Sequence, residues 1–169
     1  KTPWQPAAKK TINIEAQAYA YAFEWQEFLA PRMLHQLLSQ GINVKVATKS
    51  FTSVINGQSK MFSAGTIVIP AGIQRLDSWR AALANSATDN QIAVHSLATG
   101  LTVQGVDLGS GSIRKIEPVK VLLLGGNGSS EYEAAEVLYY LDDTLNIPVT
   151  VVEQSRLKDI DLNSYSHII

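Results

Sequence analysis

The chain has 169 residues, 46% of them apolar and 17% charged, with a formal net charge of -1 and no cysteine. That composition belongs to a globular chain long enough for one domain or two small ones. It gives no electrostatic footprint for nucleic acid, holds no apolar run of membrane-spanning length, and excludes disulfides, cysteine-ligated zinc and a cysteine nucleophile within these residues.

Residues 1–10 contain Pro3, Pro6 and the basic pair Lys9 and Lys10, and are expected to form a linker or arm with Trp4 as an anchor. From 11 to 115 the pattern predicts an α/β subdomain. Thr11 to Phe23 is strand-like, with Tyr19, Tyr21 and Phe23 on one face and Ala18, Ala20 and Ala22 on the other. Pro31 suits a first helical turn, Met33, Leu34, Leu37 and Leu38 form an apolar stripe, and Gly41 follows as the expected stop. Asn43 to Ala47 is the next strand. Asn56-Gly57 predicts a type I′ turn, so Phe51 to Ile55 and Gln58 to Phe62 are expected to form a hairpin. Thr66 to Ile69 is a buried strand ended by Pro70. A helix near Asp77 to Ala87 turns Leu76, Trp79 and Leu83 inward, and Ile92 to Leu97 is a further strand. The stretch from Gly100 to Ile116 carries four glycines and no long apolar run, which places a subdomain boundary there.

Residues 116–169 are organised around Lys120 to Leu141. Val121 to Leu124 is a continuous apolar run, the mark of a strand buried on both faces. A glycine-rich break follows, then a helix capped by Ser129 or Ser130 and carrying Ala134, Val137, Leu138 and Leu141 at helical spacing. Asn146 and Pro148 stop it, and Val149 to Val152 is a second apolar strand. This β-α-β unit predicts the start of a parallel, doubly wound sheet. Ser166 to Ile169 begins a third strand, and the sheet is expected to be completed by further chain.

The loop Gly125, Gly126, Asn127, Gly128, Ser129 and Ser130 is the one candidate binding site. Backbone N–H groups at a helix start and the helix dipole suit an anion. The same glycines also serve a tight turn with no ligand at all. No Gly-Lys-Ser/Thr follows, so the loop is not a Walker loop, and Glu131 stands where a dinucleotide fingerprint has its third glycine. Glu153 ends the next strand, the position of a ribose-binding carboxylate, though later than the usual spacing. His35, His95 and His167 are scattered, with no HxxE or HExxH spacing, and no G-x-S-x-G elbow is present. No catalytic or metal-binding residue is predicted.

Three stretches, AYAFEWQEFLAPRMLHQLLSQGINVKVATKSF, FSAGTIVIPAGIQ and GLTVQGVDLGSGSIRKIEPVKVLLLGGNG, together resemble the C-terminal, non-catalytic region of large bacterial proteins of the zinc carboxypeptidase (carboxypeptidase A-like) family. The resemblance runs from about Ala18 onward, and its specific part is the pairing of GTIVIP with a later DLGS and P-x-x-V-x-L-L-x-G-x-G. It implies a metal-dependent peptidase domain upstream and a terminal domain similar to class I glutamine amidotransferases, of which residues 116–169 are the first half. It further implies a three-layer α/β fold with a mostly parallel sheet, its second half an incomplete flavodoxin-like, amidotransferase-like one. The family's zinc ligands, an HxxE pair and a distant His, match no position here. The resemblance therefore implies an accessory, non-catalytic region of an exported (periplasmic or extracellular) metallocarboxypeptidase, inactive alone. Its zinc lies in the parent's peptidase domain, and its partners are that domain and the parent's peptide substrate, with no nucleic acid and no membrane span. The competing reading is a stand-alone small-molecule- or anion-binding α/β domain that uses the Gly125–Ser130 loop.

Overall fold

A computed structural model describes residues 9–126 and 128–169, so the expectation for Trp4 lies outside the described residues. The described chain is mixed α/β and falls into two compact units, one ending at Ile116 and the other running Glu117–Ile169.

The first unit comprises β1 (Ala20–Phe23), α1 (Ala30–Ser39), β2 (Lys45–Ala47), β3 (Phe51–Ile55), β4 (Gln58–Phe62), β5 (Ile67–Pro70), α2 (Trp79–Asn90), β6 (His95–Leu97), β7 (Gln104–Gly105) and β8 (Ile113–Lys115). Five strands make its main sheet, in the order β6-β1-β5-β2-β8, and every ladder in it is antiparallel. The expectation of a mostly parallel sheet is therefore corrected. β1 and β2 are parallel, as a helical crossover demands, but β5 is inserted between them; β5 and β6 are parallel with β1 between them. Two split β-α-β units are interleaved, the arrangement of ferredoxin-like sheets. Sequence alternation shows the crossovers but not the strand that fills each gap.

Both faces of this sheet are buried, and the period-two alternation of β1 divides them. Tyr21 and Phe23 join Ile67 and Ile69 under Met33 and Leu37 of α1 and Trp79, Leu83 and Ala87 of α2. Tyr21 meets Trp79 edge to face, at 5.5 Å between ring centroids and 70°. Its buried phenol donates to the Glu15 carbonyl, which meets the hydrogen-bond demand of a polar group in the core. On the opposite face, Ala20, Ala22 and Val68 lie under Phe51 and Phe62. Small residues here admit the phenyl pair, stacked at 4.9 Å and 17°. Phe51 and Phe62 come from a second, three-stranded sheet in the order β4-β3-β7.

The β3–β4 turn is as expected: Asn56 and Gly57 both take positive φ, 51° and 79°, and the strands keep the expected bounds. Other expectations move. The strand expected over Thr11 to Phe23 is confined to β1. Leu76 is 47% exposed rather than inward, because α2 begins only at Trp79 and Leu76 lies ahead of its apolar face. The stretch after Gly100 packs into the first unit, with Leu108 and Ile113 buried in one cluster with Ala47, Phe51 and Leu97, and the division between the units falls at its end, after Ile116.

The second unit comprises β9 (Val121–Gly125), α3 (Glu131–Leu138), β10 (Val149–Glu153) and β11 (His167–Ile168). Both neighbours pair in parallel with β9, in the order β10-β9-β11. Val121, Leu122 and Leu123 are buried as expected for the central strand, whereas Val151 of β10 is 51% exposed, so the expectation of burial on both faces fails for β10. An edge strand has one neighbour, and in this unit little covers it. The apolar cluster is thin: Val121, Leu145 and Ile147, with Leu141 and Val149 against them. No residue of α3 itself is fully buried. The helix gives way to a π-helical stretch at Tyr139–Thr144, so Leu141 packs from there rather than from a continuous α-helix.

Candidate functional site

The predicted loop lies between β9 and α3, at the carboxyl end of the parallel sheet, where ligands of open α/β sheets bind. Gly125 ends β9. Gly126 and Gly128 adopt φ of 87° and 102°, and Asn127 lies outside the described residues. The Ser129 hydroxyl and backbone N–H both turn back to the Gly126 carbonyl, at 2.9 and 3.1 Å. Ser130 caps α3, its hydroxyl accepting from the Glu133 N–H at 3.4 Å. Of the two expected caps, Ser130 serves and Ser129 closes the turn.

The loop is pressed against the end of β10. A Cβ added at Gly126 would stand 3.4 Å from the Glu153 side chain, and one at Gly128 would stand 3.0 Å from the Gln154 carboxamide. The glycines thus permit close approach of loop and strand. The charge is unfavourable to an anion: Glu131 and Glu133 occupy the first turn of α3, and Glu153 stands beside Gly126. Glu153 is itself exposed and accepts a hydrogen bond from the Ser155 hydroxyl at 3.3 Å. Three carboxylates around one helix terminus oppose the dipole that would attract phosphate, and are compatible with donors such as hydroxyls.

The three histidines stand on separate elements, α1, β6 and β11. Among the described residues no group of three His, Asp or Glu side chains is placed to hold a metal ion. His167 Nδ1 lies 2.9 Å from the Ser166 hydroxyl. His35 has its pKa lowered by burial on α1, and its Nδ1 is buried without a hydrogen-bond partner among the described residues.

His95 belongs to a constellation that sequence inspection missed. Lys60 of β4 forms an ion pair with Glu24 at 3.0 Å, both side chains about two-thirds buried. Lys60 also lies over the Phe62 ring, 5.3 Å from its centroid, and Phe62 meets His95 edge to face at 5.6 Å. Burial lowers the pKa of His95, the Lys60 charge lowers it further, and Glu24 opposes both. The available signal was register. In β4, Lys60 shares a face with inward-pointing Phe62, and a charge on an inward face calls for a partner. That partner is 36 residues away in sequence, and nothing local names it.

No protein-family model, curated protein or solved structure matches this chain.

Proposed function

We propose that this chain is an accessory, non-catalytic region of a zinc carboxypeptidase-like protein, which holds or positions the peptidase domain and its peptide substrate. The metal-dependent release of C-terminal residues, the zinc and an exported location belong to the parent. The observation that carries the reading is the parallel order β10-β9-β11. By chain order it is 2-1-3, that of the first three strands of a flavodoxin-like sheet. It supports a flavodoxin-like, amidotransferase-like second half in a three-layer α/β arrangement, which is what the resemblance implies for residues 116–169. The test pairs metal analysis with a peptide hydrolysis assay, on this chain and on the parent polypeptide. The isolated chain is expected to hold no stoichiometric zinc and to release no C-terminal residue, and the parent to do both. One tightly bound zinc per isolated chain, or a parent reading frame with no HxxE and later His, overturns the proposal.

A second reading, a small-molecule-binding α/β domain, is favoured by one observation. The Gly125–Ser130 loop follows β9, whose two neighbours lie on opposite sides, a topological switch point. The flanking carboxylates favour a neutral, hydroxyl-bearing ligand over phosphate. Amide shifts at Gly126 and Ser129 on adding a nucleoside, and none on adding inorganic phosphate, are the expected result.

A further inference from the structure

The formal charge of -1 conceals a division. Residues 1–116 carry eleven Lys and Arg against six Asp and Glu, and residues 117–169 carry three against nine. The two units therefore hold formal charges of +5 and -6. Opposite charge on two surfaces steers and registers a contact between them.

In the second unit the charge gathers on α3 and the π-helical stretch after it. These hold Glu131, Glu133, Glu136, Asp142 and Asp143, and no Lys or Arg occurs between Val121 and Ser155. Asp142 and Asp143 lie in the last turns, where the helix dipole opposes a carboxylate. Tyr132 and Tyr139 project from this acidic surface, 87% and 64% exposed. Tyr132, Glu136 and Tyr139 follow the spacing of one helix face, and Glu131 and Glu133 flank Tyr132 in sequence.

In the first unit the basic counterpart is the β2–β8 edge of the main sheet. Lys45 stands directly opposite Lys115 in the ladder, and Lys49 follows β2. Like charges in opposed positions are locally unfavourable, so the stability of the sheet does not account for them. A hollow of about 170 Å³ lies at the same edge, lined by Trp25, Leu34, Val46, Gly65, Ile67 and Ile116, all uncharged. Val46 and Ile67 place it on the sheet face that carries α1 and α2. The exposed Arg114 stands directly opposite Val46.

We propose that Tyr132 of one copy of this chain inserts into this hollow on the first unit of a second copy. Glu131, Glu133 and Glu136 then face Arg114 and the lysines of the same edge. A tyrosine anchor in an apolar pocket, rimmed by charge pairs, has the makeup of an interface hot spot. The contact joins two different surfaces, so the copies associate head to tail. The proposal rests on neither functional reading given above.

The test is sedimentation velocity on the full chain over a range of concentrations, at about 10 mM and about 1 M salt, where charges are screened over about 30 Å and about 3 Å. The mass is expected to rise with concentration, and association to weaken about tenfold or more at the higher salt. Tyr132→Ala is expected to weaken it about tenfold or more, and Tyr132→Phe, which keeps the ring, to stay within about threefold of the unaltered chain. Glu133→Lys with Glu136→Lys leaves the first unit intact, and Arg114→Glu with Lys115→Glu leaves the second intact; all four side chains are exposed. Each double variant is expected to be monomeric alone. An equimolar mixture is expected to form a dimer that grows no further, because one intact hollow then meets one intact Tyr132. At 87% exposure Tyr132 tolerates both of its substitutions, so that pair decides the matter if a charge variant misfolds. A monomer at every concentration, association indifferent to Tyr132→Ala, or a mixture no more associated than its components would each overturn the proposal.

Discussion

The two units solve the same problem with different resources. In the first, both faces of one antiparallel sheet are covered, by two helices on one side and by the β4-β3-β7 sheet on the other, and large side chains such as Tyr21, Phe23, Phe51 and Phe62 are fully removed from water. In the second, the apolar cluster is built on Val121, Leu145 and Ile147 and draws on β9 and β10 but not β11, and the helix between β9 and β10 buries none of its residues fully. Each fully buried large apolar side chain contributes about 1.5–3 kcal/mol. Cohesion within the first unit should therefore far exceed that within the second. Strand content does not by itself make a stable sheet; cover does.

The comparison can be broken most directly in the phenyl stack. Phe62→Ala should cost the first unit about 3–5 kcal/mol, because it removes the partner of Phe51 and leaves a cavity over Ala20 and Ala22. Urea unfolding followed by tryptophan fluorescence measures this, and a loss below about 1 kcal/mol would mean that face is loosely packed. A smaller effect is expected from Gly57→Val. It forces a β-branched residue to φ near 79°, at a cost of about 1–3 kcal/mol. An unchanged melting temperature would show that the turn relaxes to another type. In the second unit, Ser130→Ala removes the helix cap. With the long 3.4 Å bond the loss should lie near the low end of the usual range, about 0.5 kcal/mol. Hydrogen exchange of the α3 amides is the measurement, and exchange should rise there while β1 and β5 stay protected.

The smallest expected effect is one of pH. The folded pKa of His95 lies below 6.5, chiefly through burial, so the folded state binds fewer protons there than the unfolded one. The stability linked to the neutral ring is complete above the unfolded value and is lost as pH falls below it. The first unit should lose stability on acidification from neutrality, and His95→Gln should flatten that slope. His35 shifts in the same direction, so part of the slope should persist in the single variant. A slope that His95→Gln leaves untouched would remove His95 from the account.

Local signals carried much of the fold. The hairpin was legible because Asn-Gly sets both its turn and its register. The division of β1 into a Tyr/Phe face and an Ala face was legible because side-chain period and burial coincide. Strand partners were not, because the ladders that close the first sheet join distant residues: Ala20 pairs with Pro70 on one side and Leu97 on the other. The boundary near Ile116 was legible, but the burial of Leu108 and Ile113 was not, since they find their neighbours on β1–β3 and β6 rather than nearby. At the candidate loop, the glycines and the helix start were visible, and Glu153 was marked at the end of its strand. The press of Glu153 against Gly126 was not, because it needs the β9–β10 register.

The interleaving of the first sheet also bears on how the chain is made. Because β1 lies between β5 and β6, neither split β-α-β unit contains all the strands that its own sheet segment needs. During synthesis, Ala20–Phe23 must wait for Ile67–Pro70 to cover one edge and for His95–Leu97 to cover the other. Until about a hundred residues have emerged, an apolar strand is left with an open edge, the hazard that invites pairing with a second nascent chain. The unit is therefore indivisible: a cut between β5 and β6 yields two pieces that are competent only when mixed, and neither is expected to stay soluble alone.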